Sequence, residues 1–151
     1  MNVLDNLQIA SILKRNGVKI NGIFSKDLLP REGNGWTIVN MQNSTDGRGT
    51  HWICYHKGTG FPQTKGSGRA SLPLYFDSFG FQAPLEIEEK MGKYIYNKSQ
   101  IQDIDDSSCG YYCIACICSC RDGDLASFEN FLNYFSKNTE ENEKHLSLFF
   151  K

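Results

Sequence analysis

The amino-acid sequence predicts an α+β domain, with a small central mixed or antiparallel sheet of about four to five strands flanked by helices. Three observations carry this expectation. Short apolar and aromatic runs bounded by glycine-rich turns dominate the first two thirds of the chain. Apolar residues at helical spacing mark the beginning and the last third. The length, 151 residues, suits one core, so residues 1–151 are read as a single domain.

Taken in order, Leu4, Leu7, Ile9, Ile12 and Leu13 fall mostly on one helical face, and Gly17 is placed to end that helix. "GWTIVNM" (35–41) and "THWICYHK" (50–57) read as strands joined by the turn-rich "QNSTDGRG". "KGTGFPQTKGSGRAS" (57–71) reads as a mobile glycine-rich connection, and "LPLYFDSFG" (72–80) as a third strand ending in a turn. "APLEIEEKMGK" (83–93) suits a short helix with Pro84 in its first turn, and "YIYNKSQIQ" (94–102) a fourth strand. Ser107 or Ser108 can cap a helix running to about Arg121. Phe128, Phe131, Leu132 and Phe135 mark another, and Leu146, Phe149 and Phe150 a last one. The polar stretch 136–144 is the one segment that reads as lacking order of its own.

Apolar residues make up 40% and aromatics 13%, an ordinary globular balance. The net charge of −1, without any basic run, does not advertise a nucleic-acid partner. The N-terminus alternates apolar and polar residues instead of carrying a signal-peptide core, and no stretch is long enough to span a membrane. A thiol-reducing cytosolic setting, not a secreted one, is the expectation, which disfavours disulfides.

That bears on "DDSSCGYYCIACICSC" (105–120), which holds five of the six cysteines. A metal knuckle, a disulfide knot or a single reactive thiol on a closely packed helix could each explain the crowding. On a helix Cys109, Cys113, Cys116 and Cys120 share a face and Cys118 points away. A zinc site needs ligand pairs from separate segments, whereas Cys54 stands alone elsewhere, so no metal or other cofactor is expected. Buried free cysteine behaves as a small hydrophobe, which accounts for Cys113, Cys116 and Cys120 as core. Cys109 opens the helix, where the dipole and unpaired N–H groups favour a nucleophilic thiolate. Gly110 beside it leaves room for a substrate backbone.

A catalytic thiol needs a base and a group to orient the base. His145 lies in the charged tail. His51 and His56, five apart on a strand, point to opposite faces, so only one can meet the thiol. His51, before Trp52, is the better candidate. Asp77, between an aromatic strand and a turn, can be an orienting carboxylate or a turn cap.

"GTHW", "YFDSFGF" and "QDIDDSSCG" follow one another as His, acid, Gln, Cys. That order resembles the adenain family, the adenovirus-type maturation cysteine proteases with relatives in virophages and related double-stranded DNA elements. The likeness runs from the N-terminal helix and "GIFSKD" through "IVN" and "GRGTHW" to the Gln-x6-Cys-Gly spacing, and is weaker over "NEKHLSLFF". It implies the adenain and ubiquitin-like-protease type of fold, with the nucleophile at a helix N-terminus. Cys109 would be the nucleophile, His51 the base and Asp77 the third member, where the family has Glu. Gln102 would donate to the oxyanion, and Trp52 would wall a narrow cleft for substrate glycines. The resemblance further implies cleavage of viral precursor polypeptides at Gly-Gly-X or Gly-X-Gly sites, in a virion or in a virus factory of the host cytoplasm. Family members take a disulfide-linked activating peptide and DNA. Residues 91–101 contain no cysteine, so an activating peptide here would not be disulfide-linked, and the slightly acidic chain leaves a DNA cofactor open. Two alternatives stand beside this reading: a deconjugating protease for a ubiquitin-like modifier, since that clan shares the residue order, and a non-catalytic cysteine-rich metal-binding module.

Overall fold

A computed structural model describes residues 1–31, 33–42, 51–58 and 72–151. Most of the loop 42–49, Thr50 and most of the glycine-rich connection 57–71 lie outside the described residues. Among the described residues the architecture is α+β, with a five-stranded mixed sheet and five α-helices.

The chain begins with helix α1 (Asn6–Arg15). Asp5 and Gln8 close it reciprocally: each side chain bonds the other residue's main-chain N–H, so two otherwise orphaned donors are satisfied. Asn16 and Gly17 end the helix, and Gly17 adopts a left-handed φ of 69°. Ile9 and Leu13 are buried, whereas Leu7 is 75% exposed and leaves the apolar face on which the spacing had put it.

Strands β1 (Gly22–Ser25), β2 (Trp36–Asn40), β3 (Trp52–His56), β4 (Leu74–Phe76) and β5 (Ile95–Tyr96) lie side by side in chain order. The two outer pairings are parallel and the two inner ones antiparallel. Strand β1 was not anticipated. The expected third and fourth strands shrink to β4 and β5, because at Asp77 the ladder is replaced by a side chain. Asn97 accepts a hydrogen bond from the Asp77 N–H (3.2 Å) and donates one to the Asp77 carbonyl (2.7 Å). An asparagine that does both satisfies the two main-chain groups a strand neighbour would otherwise pair.

Alternation sorts the central strands onto two faces. Trp36, Ile38, Trp52, Cys54, Leu74 and Phe76 join a large cluster with α1, α3 (Cys109–Ser119), α4 (Leu125–Leu132) and α5 (Thr139–Leu148). Val39, Ile53, Tyr55 and Tyr75 face the other way and pack with Ile87 and Met91 of helix α2 (Leu85–Met91). Pro84 precedes α2 as its cap residue and is not part of its first turn. Stretch 136–144, expected to lack order, forms the approach to α5 and its first half. Its anchor is Asn142, which is fully buried and bonds the main chain of Ser136 and Ile101. Among the described residues no helix is long and apolar enough to cross a membrane.

The turn after β4 closes with the Gly80 N–H donating to the Asp77 carbonyl at 2.8 Å. Gly80 has φ +82°, and a Cβ there would lie 2.8 Å from the main chain of Ser99 and Gln100. Gly80→Ala is therefore expected to cost ~1–3 kcal/mol through left-handed strain and this backbone clash. Urea denaturation checks it; a loss below ~0.5 kcal/mol would show that the turn relaxes freely.

Candidate active site

His51 immediately precedes β3, and its carbonyl accepts from the Met41 N–H at 2.9 Å, which ties it to the end of β2. Asp77 immediately follows β4, the antiparallel neighbour of β3. Two residues at adjacent strand ends thus meet: His51 Nε2 lies 2.6 Å from Asp77 Oδ1. The carboxylate, only 2% exposed, also accepts from the Phe79 N–H at 2.8 Å. Asp77 is therefore both the turn cap and the partner of the histidine. Asn97 fixes its main chain on either side.

Phe79 stacks on the imidazole, with ring centroids 3.9 Å apart and planes 6° from parallel. Phe81 meets the edge of Phe79 and is 58% exposed. The ring of His51 is thereby held in its plane by an aromatic face and along one axis by a carboxylate.

Cys109 is the first residue of α3 and is 5% exposed. Its Sγ accepts from the Trp52 main-chain N–H at 3.4 Å. The residue after the histidine thus holds the sulfur near the ring. Burial lowers the pKa of His51, but the Asp77 hydrogen bond, that from Cys109 and the charges of both outweigh it and raise the value to about 9. Nε2 is engaged by Asp77, and Nδ1 is buried without a well-formed partner. Nδ1 is thus the nitrogen left for the thiol.

Gln102 is fully buried and its amide is fixed at both ends. Its Oε1 accepts from the Ser78 hydroxyl at 2.5 Å, and its Nε2 donates to the Asp106 carbonyl at 2.8 Å. One N–H of that NH₂ group remains to be used. The main-chain N–H groups of Ile101 and Gln102 both donate to the Ser78 carbonyl at 2.9 Å, so the turn after Asp77 carries Gln102 as well.

Two residues expected at the substrate cleft have inward roles. A Cβ on Gly110 would meet Leu4 and Ile9 at 3.3–3.4 Å, so the space left by the glycine is filled by the N-terminal segment and α1. The Trp52 indole donates to the Leu4 carbonyl at 2.8 Å and is 6% exposed within the large cluster. The strand side of β3 turned toward α3 explains this burial; the contribution of Trp52 at the site is its main-chain N–H. His56 is at the opposite end of β3, edge-on to Trp36 at 5.4 Å, with burial lowering its pKa. His145 is exposed and bonds the Tyr134 carbonyl.

The remaining thiols are free. Cys54, Cys113, Cys116 and Cys120 are fully buried, and burial pushes the first three far up. Cys118 is half-buried. The described residues contain no group of three or more His, Cys, Asp or Glu placed to hold a metal ion.

Sequence reasoning missed Phe79, Ser78 and Asn97. Phe79 and Ser78 stand within the "DSFG" turn, two and one residues beyond Asp77, where proximity alone was a signal; nothing in the sequence pairs Asn97 with Asp77. No family model matches the chain, and no curated protein is similar to it at a significant level.

Proposed function

We propose that this chain is a cysteine endopeptidase of the adenain-like, viral-maturation type, cutting precursor polypeptides at Gly-Gly-X or Gly-X-Gly sites. The observation that carries it is the buried imidazole of His51, held by Asp77 through one nitrogen, with the Cys109 thiol at a helix start beside the other. Nucleophile, base and orienting group within contact of one another are what acyl transfer by a thiol requires. The substrate class and the virion or virus-factory setting come from the resemblance in motif order; residues 91–101 lack cysteine, so an activating peptide would not be disulfide-linked.

In this reading the Cys109 thiolate attacks the scissile carbonyl carbon. The resulting oxyanion is met by the Cys109 N–H and the unused Gln102 N–H, which are formed before the charge develops. His51, carrying its proton at neutral pH, gives it to the leaving amine. The now neutral ring takes a proton from water, which attacks the thioester and releases the thiolate. Asp77 keeps Nε2 occupied, so that Nδ1 is the nitrogen that exchanges protons. Phe79 prevents the ring from tilting.

Cys109→Ser is expected to abolish cleavage with little change in folding. Cys113→Ala, within the core, is expected to cost ~1–3 kcal/mol and to retain activity. Peptide digestion beside thermal denaturation checks both; normal cleavage by the Cys109 variant would refute the assignment.

The pH profile follows from His51. Its pKa in the fold is raised from 6.5 to about 9, so kcat/KM should hold across neutral pH and fall as pH rises through about 9. The same sign governs stability. The contribution from charged His51 is complete below about 6.5 and is lost as pH rises through about 9. Asp77→Asn keeps the shape and removes the charge that raises the pKa. The alkaline limb should then move to lower pH, and turnover should fall far more than the apparent KM rises. An unmoved limb would refute the orienting role.

A peptide ending its acyl side in Leu-x-Gly-Gly should be cut, and the same peptide with Ala for the first of those glycines should not. Mass spectrometry of both digests, with the Cys109→Ser protein as control, decides it. Equal cutting of both would overturn the glycine specificity.

A further inference from the structure

Helix α5 touches the site at two consecutive residues, and each holds the residue just before a group assigned to the oxyanion. Asn142 donates to the Ile101 carbonyl at 2.9 Å, directly ahead of Gln102. Glu143 accepts from the Ser108 hydroxyl with both carboxylate oxygens, at 2.7 and 2.8 Å, directly ahead of Cys109. Ser108 is fully buried and is the cap residue immediately before α3. A serine there ordinarily turns its oxygen inward to accept from the second or third N–H of its own helix. This one makes no such bond, because its hydroxyl is turned to Glu143. The N–H groups of Gly110 and Tyr111, which a cap hydroxyl would serve, are thereby left without a side-chain acceptor among the described residues, and the Ser108 side chain is instead anchored to α5.

We propose that Glu143 is a positioning residue for the cleavage reaction: by holding the Ser108 hydroxyl, it fixes the peptide unit between Ser108 and Cys109 and so aims the Cys109 N–H at the oxyanion. The inference rests on the protease reading above. Among the described residues Glu143 makes no hydrogen bond to the thiol or the imidazole, so it acts through Ser108. Its partner Asn142 holds the Gln102 side of the same anion site, and the two donors are therefore referenced to one rigid helix. A misplacement of about 1 Å in such a site costs on the order of a hundredfold in rate.

The test uses the full chain with a Gly-Gly peptide, with rates expressed per titrated active site. Glu143→Ala is expected to lower kcat by about ten- to a hundredfold and to leave KM within about twofold. A peptide aldehyde, whose thiohemiacetal carries the oxyanion, should bind more weakly by a similar factor. Alkylation of Cys109 by iodoacetamide, which forms no oxyanion, should proceed at the wild-type rate. Glu143→Gln keeps an acceptor for Ser108 and should retain most of the turnover. Ser108→Ala removes the same anchor from the other side and should lower kcat by a similar factor to Glu143→Ala, again with KM within about twofold. A lowered melting temperature or active fraction with unchanged kcat per site would make Glu143 merely structural and overturn the proposal, as would a parallel fall in alkylation. Cys109-dependent cleavage with an unaffected Glu143→Ala removes this inference alone. Cleavage that survives Cys109→Ser removes the protease reading and this inference with it.

Discussion

The rest of the structure depends on the burial of α3 against β3. Eight of the eleven residues of this helix are buried, so it has no face to give to water and must run through the middle of the domain. Cys113 and Cys116 meet Cys54 of the strand, and small sulfur-bearing side chains at this contact allow helix and sheet to approach closely. The crowding of cysteine in one stretch is thus a packing solution for three of its five, Cys113, Cys116 and Cys120. Once the helix is seated, the position of its first residue is set by the register of its interior, and Cys109 comes to the end of β3 where His51 precedes the strand. The contact is formed by pieces of local structure that are themselves rigid.

The carboxylate at the other side of the imidazole depends on a different economy of hydrogen bonds. β4 and β5 are three and two residues long, too short to align anything by ladder alone. Asn97 takes over where the strands stop, and the turn from Asp77 to Gly80 supplies the histidine's partner, the ring that covers it and the carbonyl and hydroxyl that hold Gln102. Four consecutive residues therefore serve two functional side chains outside the turn, His51 and Gln102, which explains why a substitution at Gly80 would be felt well beyond it.

Much of this was legible because burial has a period. The alternation along β2 and β3 separates the two faces of the sheet, and the five-residue interval between His51 and His56 sends them to different places. What was not legible lacks such a signal. β1 is four half-buried residues without alternation, recognised only by its parallel pairing to β2. Leu146 marked the end of α5, but its first part is polar, and one of the helix's two buried residues is an asparagine, so that part takes its order from hydrogen bonds to Ile101 and Ser136. Gly110 was read as room for a substrate backbone and Trp52 as a wall of the substrate cleft; their place beside a thiol could not say whether the neighbour would be a substrate or Leu4.

The N-terminal segment has a practical bearing. The Met1 carbonyl accepts from the Ser107 hydroxyl at 3.1 Å and the Leu4 carbonyl from the Trp52 indole, so the first residues are strapped down within two positions of Cys109 along the chain. A purification tag joined ahead of Met1 would start beside this strap and could disturb its bond to Ser107. Lys151, exposed beyond the end of α5, is the attachment point that leaves the strap intact.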